Sequence, residues 1–207
     1  GGHGASEMSY DMADPSLEDG SRVVFEREVV MELRKLDEPD APGIQESVRA
    51  RILIQERDGV LENCQLCLTS EEDIFFMFKC DVDQTGFQGL QETQKLMIGF
   101  NDLPGALANM LTACIKDPRT YLCVLFVSHE GVARLEFIQG MVYKYVELMS
   151  LNLVAASEDT VRQYISFRYK AMTARCSMLE SNIKELKGLI KVKLPSLHMQ
   201  LSKQGVM

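Results

Sequence analysis

A repeat of apolar residues at alternating steps of four and three runs through the C-terminal quarter of the chain. This spacing places the side chains on one narrow stripe of an α-helix, the seam of a coiled coil. A helix that packs on its own domain normally shows a wider apolar face, which is the alternative for this stripe. The seam positions are Ile165, Tyr169, Met172, Cys176, Leu179, Ile183, Leu186 and Ile190.

The two ends of this helix carry recognisable signals. Ser157 is a good N-cap, and Glu158 and Asp159 follow it in the first turn, where the helix dipole favours negative charge. Pro195 is expected to stop or kink the helix. The sequence therefore predicts a coiled-coil segment over residues 157–194, followed by a C-terminal tail over residues 195–207.

Upstream of the seam, apolar and polar residues alternate, as they do in half-buried strands. One face of the first strand carries Val23, Phe25, Val29, Met31 and Leu33, and one face of the second carries Val48, Ala50, Ile52 and Ile54. The opposite face of the second strand carries Arg49, Arg51 and Gln55. Asp58-Gly59 is a hairpin turn signal before a third strand, whose apolar face carries Val60, Cys64, Leu66 and Leu68. An acid-rich turn precedes the Phe-rich run IFFMFKC, and the strands YLCVLFV and VARLEFI come later. We predict an α+β, mainly β head over residues 21–156, a small barrel or sandwich.

The strand pattern is interrupted by helical spacing at Phe87, Leu90, Gln94 and Met97, and again at Leu103, Leu107, Met110 and Leu111. Pro104 lies where a first helical turn tolerates it. The segment predicts a helix-turn-helix inserted into the head. Residues 1–20 are polar, Gly-rich and acidic, and we predict that they form a disordered tail.

Composition narrows the classes of partner. The formal charge of −8 and the pI near 5.0 argue against nucleic acid, which needs a basic face, although Arg49, Arg51 and Arg57 lie close together. No apolar run is long enough to span a bilayer, and no signal peptide opens the chain, so we expect no membrane partner. The six cysteines are scattered through predicted strands and helices, which is typical of buried thiols in a reduced, intracellular protein.

Three patterns suggest metal or catalytic chemistry, and each has a simpler structural explanation. Asp81 to Glu92 has the oxygen-ligand spacing of a calcium loop, but a strand precedes it, and Asp83 and Thr85 can instead cap a helix. Cys64 and Cys67 form a lone CxxC on a strand, where zinc would need further ligands. The three histidines have no evident catalytic partner. We therefore predict no metal site, no cofactor, no small-molecule substrate and no enzyme activity.

The connection GMVYKYVEL, from Gly140 to Leu148, is unusual because it carries two tyrosines, a methionine and a valine where turn residues are normally found. It comes before the last predicted strand, ELMSLNLVA. Either its aromatic residue covers an edge of its own domain, or it contacts another molecule.

The order of head, helix-turn-helix and coil resembles the spindle-assembly-abnormal protein 6 family, the core of the centriolar cartwheel. The similarity is most specific over residues 68–111, where Phe100, Leu103, Pro104 and Leu107 match the family's Phe-x-x-apolar-Pro-x-x-apolar pattern. Tyr143-Lys144 resembles the family's Phe-Lys before its last strand. Elsewhere, from Arg22 to Ile190, the similarity is diffuse.

The resemblance implies a self-assembling structural protein of the centriole or basal body, located in the cytoplasm and cytoskeleton. An aromatic knob, here Tyr143 with Val142 and Met141, would insert into an apolar pocket of a second head. The coil would add a parallel dimer contact, and the two contacts together would build a ninefold ring. Its partners would be itself and other centriolar proteins. The implied pocket residues are Met97, Phe100, Leu103, Leu107 and Leu111.

Two features of the sequence depart from the family's usual pattern. Tyr replaces the family's usual Phe at the knob, and a buried hydroxyl needs a hydrogen-bond partner. The helix also meets Pro195 early, which would suit either a longer stalk of which this chain holds only the start or the family's short-stalked "like" branch. A scaffold of the double-strand-break repair type, with the same head-and-stalk build, is the alternative function.

Overall fold

The computed structural model describes residues 14–203, apart from the side chains of residues 197, 198 and 201. Residues 16–162 form one compact unit, the head. Within the described part of the chain, residues 14–15 and 163–203 belong to a second unit, which is helical from residue 163 to residue 193.

The head is a closed barrel of seven strands in the order β1-β2-β3-β4-β7-β6-β5. β1 and β5 close the barrel as a parallel pair, and the other neighbours are antiparallel. This architecture confirms the predicted mainly β head. The strands are β1 (Arg22–Lys35), β2 (Ile44–Arg57), β3 (Val60–Ser70), β4 (Met77–Asp83), β5 (Tyr121–Val127), β6 (Val132–Gly140) and β7 (Tyr145–Ala155).

β1 and β2 follow the predicted alternation, since Val29, Met31 and the four predicted β2 positions are buried. Asp58 and Gly59 both have positive φ, as the predicted two-residue turn requires. Val60, expected on the inner face, is exposed, and Leu61 is buried instead. The reason is an irregularity in the β2–β3 register, which steps from Gln55 opposite Asn63 to Glu56 opposite Leu61.

The Phe-rich run begins its strand later than the sequence suggests. Ser70 Oγ accepts hydrogen bonds from the amides of Glu72 and Asp73, and the Asp73 carboxylate accepts one from the amide of Phe75. These bonds hold residues 70–75 in a turn, so Ile74 and Phe75 are exposed and β4 starts only at Met77.

The helical insertion is present between β4 and β5. It consists of α1 (Gln84–Gln94), a 3-10 turn (Phe100–Asp102) and α2 (Leu103–Lys116). Asp83 is the N-cap of α1, and its carboxylate accepts a 2.7 Å hydrogen bond from the Gly86 amide. Pro104 lies in the first turn of α2, as predicted.

α1 also completes the barrel wall. β4 and β7 pair at only two positions, Phe78 with Ala155 and Lys79 with Val154. Beyond these two positions, the side-chain amide of Gln94 makes the hydrogen bonds to β7 that a neighbouring strand would make. Its Nε2 donates to the Ser150 carbonyl (2.7 Å), and its Oε1 accepts from the Ser150 amide (2.9 Å). Both backbone groups of Ser150 are thereby satisfied where β4 has diverged.

The long helix, α3, spans Glu158–Lys193. Ser157 caps it as predicted, because its Oγ accepts from the Thr160 amide at 3.3 Å. The helix ends before Leu194, and Pro195 opens a second helix, α4 (Pro195–Lys203), within the predicted tail.

The tail predicted at the N-terminus lies mainly outside the described residues. From residue 14 onward it contains a 3-10 turn (Pro15–Leu17). Ser16 Oγ accepts from Arg51 at 3.2 Å, and the Asp19 carbonyl accepts from Gln55. These contacts, with the ion pair to Glu26, explain why Arg51 is buried although its position predicted an outer face.

Replacing Asp83 with Ala should lower the free energy of unfolding by about 1 kcal/mol, because the Gly86 amide loses its acceptor at the helix N-terminus. Chemical denaturation measures the change, with Gln88→Ala on the exposed face of α1 as the control.

Calcium should leave the melting temperature of the unmodified protein unchanged. A melting temperature that rises with calcium would instead support calcium binding by the loop from Asp81 to Glu92.

Candidate assembly surfaces

The segment GMVYKYVEL forms the hairpin between β6 and β7. We define residues 140–145 as the knob hairpin. Gly140 and Tyr145 are paired across its root, and the Met141 amide donates to the Lys144 carbonyl at 2.8 Å to close the tip. The tip therefore has a defined backbone path.

The apolar side chains of this tip point into solvent in the single chain. Tyr143 is 97% exposed and Val142 is 88% exposed, while Met141 is 56% exposed. Tyr143 therefore does not cover an edge of its own head, which was the alternative explanation for an aromatic residue here. Tyr145, which the sequence reasoning did not single out, is also exposed.

The implied pocket residues fall into two groups. Met97 is 100% exposed, on the connection between α1 and α2. That connection is held by the Gln91 side chain, which donates to the Ile98 carbonyl at 2.9 Å, and by the Leu96 amide, which donates to the Gln91 carbonyl. Met97 is thus a protruding apolar side chain on a fixed loop.

The other four implied pocket residues belong to the core of their own head. Phe100, Leu103, Leu107 and Leu111 are each 5% exposed or less. Phe87 packs against Phe100 with ring centroids 5.7 Å apart. The apolar residues nearer the surface are the half-buried Leu90, Leu96, Ile98 and Met110. Leu90 and Met110 share the helical spacing that marked the others, so periodicity signals a buried face without separating its centre from its rim.

The predicted seam is largely exposed along α3. Tyr169, Met172, Cys176, Leu179, Ile183 and Leu186 are exposed, and Ile165 and Ile190 are partly covered. A stripe of large apolar side chains along a mainly polar helix is a surface that a partner helix would cover, although Met178, Leu189 and Val192 are exposed outside this stripe.

The cysteines are divided by burial. Cys64, Cys67, Cys80, Cys114 and Cys123 are buried in the head, whereas Cys176 is exposed on α3, contrary to the expectation of six buried thiols. Burial raises the pKa of Cys64 to about 12 and that of Cys80 to about 11. These two thiols stay protonated at neutral pH, which makes them poor nucleophiles.

The clustered arginines do not form an open basic patch. Arg49 lies 2.6 Å from Glu71 and 3.3 Å from Glu28, Arg51 lies 3.4 Å from Glu26, and Arg57 lies 3.1 Å from Glu62. Each positive charge is matched by a glutamate on the same surface. Phosphate binding would have to displace these pairs.

Residues 14–203 contain no helix that is long and apolar enough to cross a membrane. In the same residues, no three His, Cys, Asp or Glu side chains come together as a metal ion would require. Asp81, the first position of the apparent calcium loop, lies in β4 and accepts hydrogen bonds from Asn63 and Gln65.

Two curated relatives of this chain share the name spindle assembly abnormal protein 6 homolog. The chain is 25% identical over 145 residues to the spindle assembly abnormal protein 6 homolog of Danio rerio, and 27% identical over 134 residues to that of Xenopus laevis. These segments cover 66% and 60% of this chain but only 21% and 20% of the relatives. The chain thus spans about a fifth of the length of the curated relatives it matches.

Solved structures share the fold. An N-terminal fragment of Leishmania SAS-6 that contains parts of its coiled-coil domain superposes with a TM-score of 0.72 at 17% identity, covering 86% of this chain and 99% of the fragment. A Drosophila melanogaster Sas-6 fragment, a phenylalanine-to-aspartate variant dimerised via its coiled coil, gives a TM-score of 0.72 at 19% identity, covering 95% and 94%.

The barrel with its inserted helix pair and the following long helix agree with these structures. The family model for the centriolar protein SAS N-terminal domain matches residues 23–153, which is most of the head and more than half of the chain. The chain therefore belongs to the family of the centriolar protein SAS N-terminal domain.

Proposed function

We propose that this chain is a self-assembling structural element of the centriolar or basal-body cartwheel, using two different contacts with copies of itself. The observation that carries the proposal is the 97% exposure of Tyr143 at the closed tip of the knob hairpin. Because the closed turn already fixes the backbone, pairing would have to order only the side chain of this residue.

In the first contact, Tyr143 and Val142 of one head insert into the helix-pair side of a second head. Met97 is already exposed there, and Leu96 and Met110 lie half-buried beside the core. The buried Phe100, Leu103 and Leu107 support this surface from below, and we propose that the partner's knob reaches them where the residues above move apart.

The energetics of this contact favour reversible pairing. Burying one large apolar side chain contributes roughly 1.5–3 kcal/mol, which is small against the cost of association. A tyrosine hydroxyl without a partner would remove about 1–3 kcal/mol of that gain. A single head-to-head contact is therefore weak, and it becomes effective when other contacts already hold the chains together.

In the second contact, the exposed seam of α3 pairs with the same seam of another chain as a parallel coiled coil. The stripe is short, so this dimer is also of modest stability. Two unlike symmetric contacts on one protomer generate an extended assembly, and a suitable angle between them closes it into a ring. The description of the matched family model, a centriolar protein, supports placing this assembly at the centriole. We propose other centriolar proteins as further partners.

Charging the knob should abolish head pairing without unfolding the head. Tyr143→Glu places a carboxylate where the proposed apolar contact forms, and burying that charge would be costly. Because Tyr143 is exposed in the single chain, the melting temperature of the head should stay unchanged. Sedimentation equilibrium over a wide concentration range should show the wild type exceeding the mass of a dimer and the variant remaining at a dimer.

Val60→Glu is the matched control, because Val60 is an exposed apolar residue beside a different hairpin, the Asp58-Gly59 turn. It should assemble like the wild type. Equal masses for the wild type and Tyr143→Glu at every concentration would contradict the head-to-head contact.

The direction of the coil can be tested through its seam. In a parallel, in-register dimer, Cys176 of each chain faces its counterpart, so mild oxidation should join two chains covalently. The five buried cysteines should remain unmodified, and Cys176→Ser should abolish the cross-link.

Ile190→Cys in the Cys176→Ser background separates parallel from antiparallel pairing, because Cys176 lies near the middle of α3. Only a parallel coil brings residue 190 of one chain against residue 190 of the other. Cross-linking through Cys176 but not through a cysteine at 190 would mean that the helices pair in opposite directions.

A repair scaffold was the alternative function for a head-and-stalk chain. The matched relatives and structures described above are SAS-6 proteins, and the clustered Arg49, Arg51 and Arg57 are paired with glutamates. These observations do not favour a DNA-bridging role.

A further inference from the structure

The root of the knob hairpin is tied to the turn that follows α2. The Gly140 amide donates a 2.7 Å hydrogen bond to the Thr120 carbonyl, immediately before β5. One residue earlier on β6, Gln139 Nε2 donates to the Tyr121 hydroxyl at 3.3 Å. The two hydrogen bonds therefore join the base of the hairpin to the adjacent residues Thr120 and Tyr121.

Thr120 is itself fixed to the C-terminus of α2. The Asp117 amide donates to the Ala113 carbonyl at 2.8 Å and continues the helix. The Asp117 carbonyl then accepts from the amides of Thr120 (3.2 Å) and Tyr121 (2.9 Å), and its carboxylate accepts from the Thr120 amide (3.3 Å). An unbroken chain of hydrogen bonds therefore runs from α2 to the knob hairpin.

The ring of Tyr145 lies against Gly140 on the opposite strand. A Cβ added at Gly140 would be 3.4 Å from Tyr145 Cε1 and 3.6 Å from the Thr120 carbonyl oxygen. A methyl group fits at these distances, whereas a branched side chain would displace the ring. Although Tyr145 is exposed, its ring therefore occupies a specific place at the root.

We infer that Gly140 and Tyr145 are positioning residues that hold the knob hairpin in a fixed direction relative to α2. The pairing described under Proposed function, on which this inference rests, needs a knob and a helix-pair surface on each head. Holding the knob and α2 on one rigid frame reduces the entropy lost on pairing and fixes the angle between successive heads.

The first test measures knob motion without any pairing. The chain contains no tryptophan, so Tyr143→Trp places a single tryptophan at the knob, which is excited at wavelengths that the remaining tyrosines do not absorb. In this background, Gly140→Val and Tyr145→Ala should lower the time-resolved fluorescence anisotropy in dilute solution. The matched controls Gly140→Ala and Tyr145→Phe should leave it unchanged, because the first adds only a methyl group and the second keeps the ring.

The second test measures head pairing with Tyr143 intact. Gly140→Val and Tyr145→Ala should weaken pairing by about two- to tenfold, since a loosened loop must be ordered on binding. Tyr145→Phe and Gly140→Ala should pair like the wild type. Gly140→Val leaves the exposed tip residues Tyr143 and Val142 unchanged, so a loss of pairing would not come from losing either side chain. The anisotropy measurement, which needs no partner head, separates positioning from a direct contact of Tyr145 with the partner head.

Each result bears on one proposal. Unchanged anisotropy in both disruptive variants, with native melting temperatures, would overturn the positioning role whether or not the heads pair. Lower anisotropy with unchanged pairing would overturn its importance for assembly. Failure of the head-to-head contact itself would appear only as equal masses for the wild type and Tyr143→Glu.

Discussion

The closure of the barrel between β4 and β7 is the constraint on which the rest of the head depends. An open strand leaves a row of unpaired amides and carbonyls, and it exposes one edge of the core. Here β4 and β7 share only two paired positions, and the amide of Gln94 continues the pairing at Ser150. A helix inserted after β4 thus completes the wall, so the insertion is part of the barrel.

This closure also supports the candidate assembly surfaces. β7 begins at the knob hairpin, and α1, which holds β7 through Gln94, leads into the loop that presents Met97. α2 continues from that loop and ends in the Asp117–Thr120 turn that binds the root of the hairpin. The knob and the helix-pair surface are therefore parts of one hydrogen-bonded framework, which suits the head-to-head pairing proposed above.

Much of the fold could be predicted because local patterns and tertiary packing agree in most of the head. The alternation in β1 and β2, the Asp58-Gly59 turn and the Ser157 cap are all found in the structure. The differences occur where a tertiary contact changes a local pattern. Val60 is exposed because the β2–β3 register shifts, and Arg51 is buried because the turn around Ser16 covers it.

The candidate assembly surfaces likewise combine features that local patterns predict with features that depend on tertiary contacts. By itself the sequence determined that an aromatic residue stands in a strand connection, that a helix pair interrupts the strands, and that a heptad stripe follows. Periodicity and residue type carry that information. Only the tertiary structure decided that Tyr143 is exposed while Phe100 and Leu103 are buried, and that Gly140 meets Thr120. These facts depend on contacts between residues far apart in the chain, which no local pattern encodes.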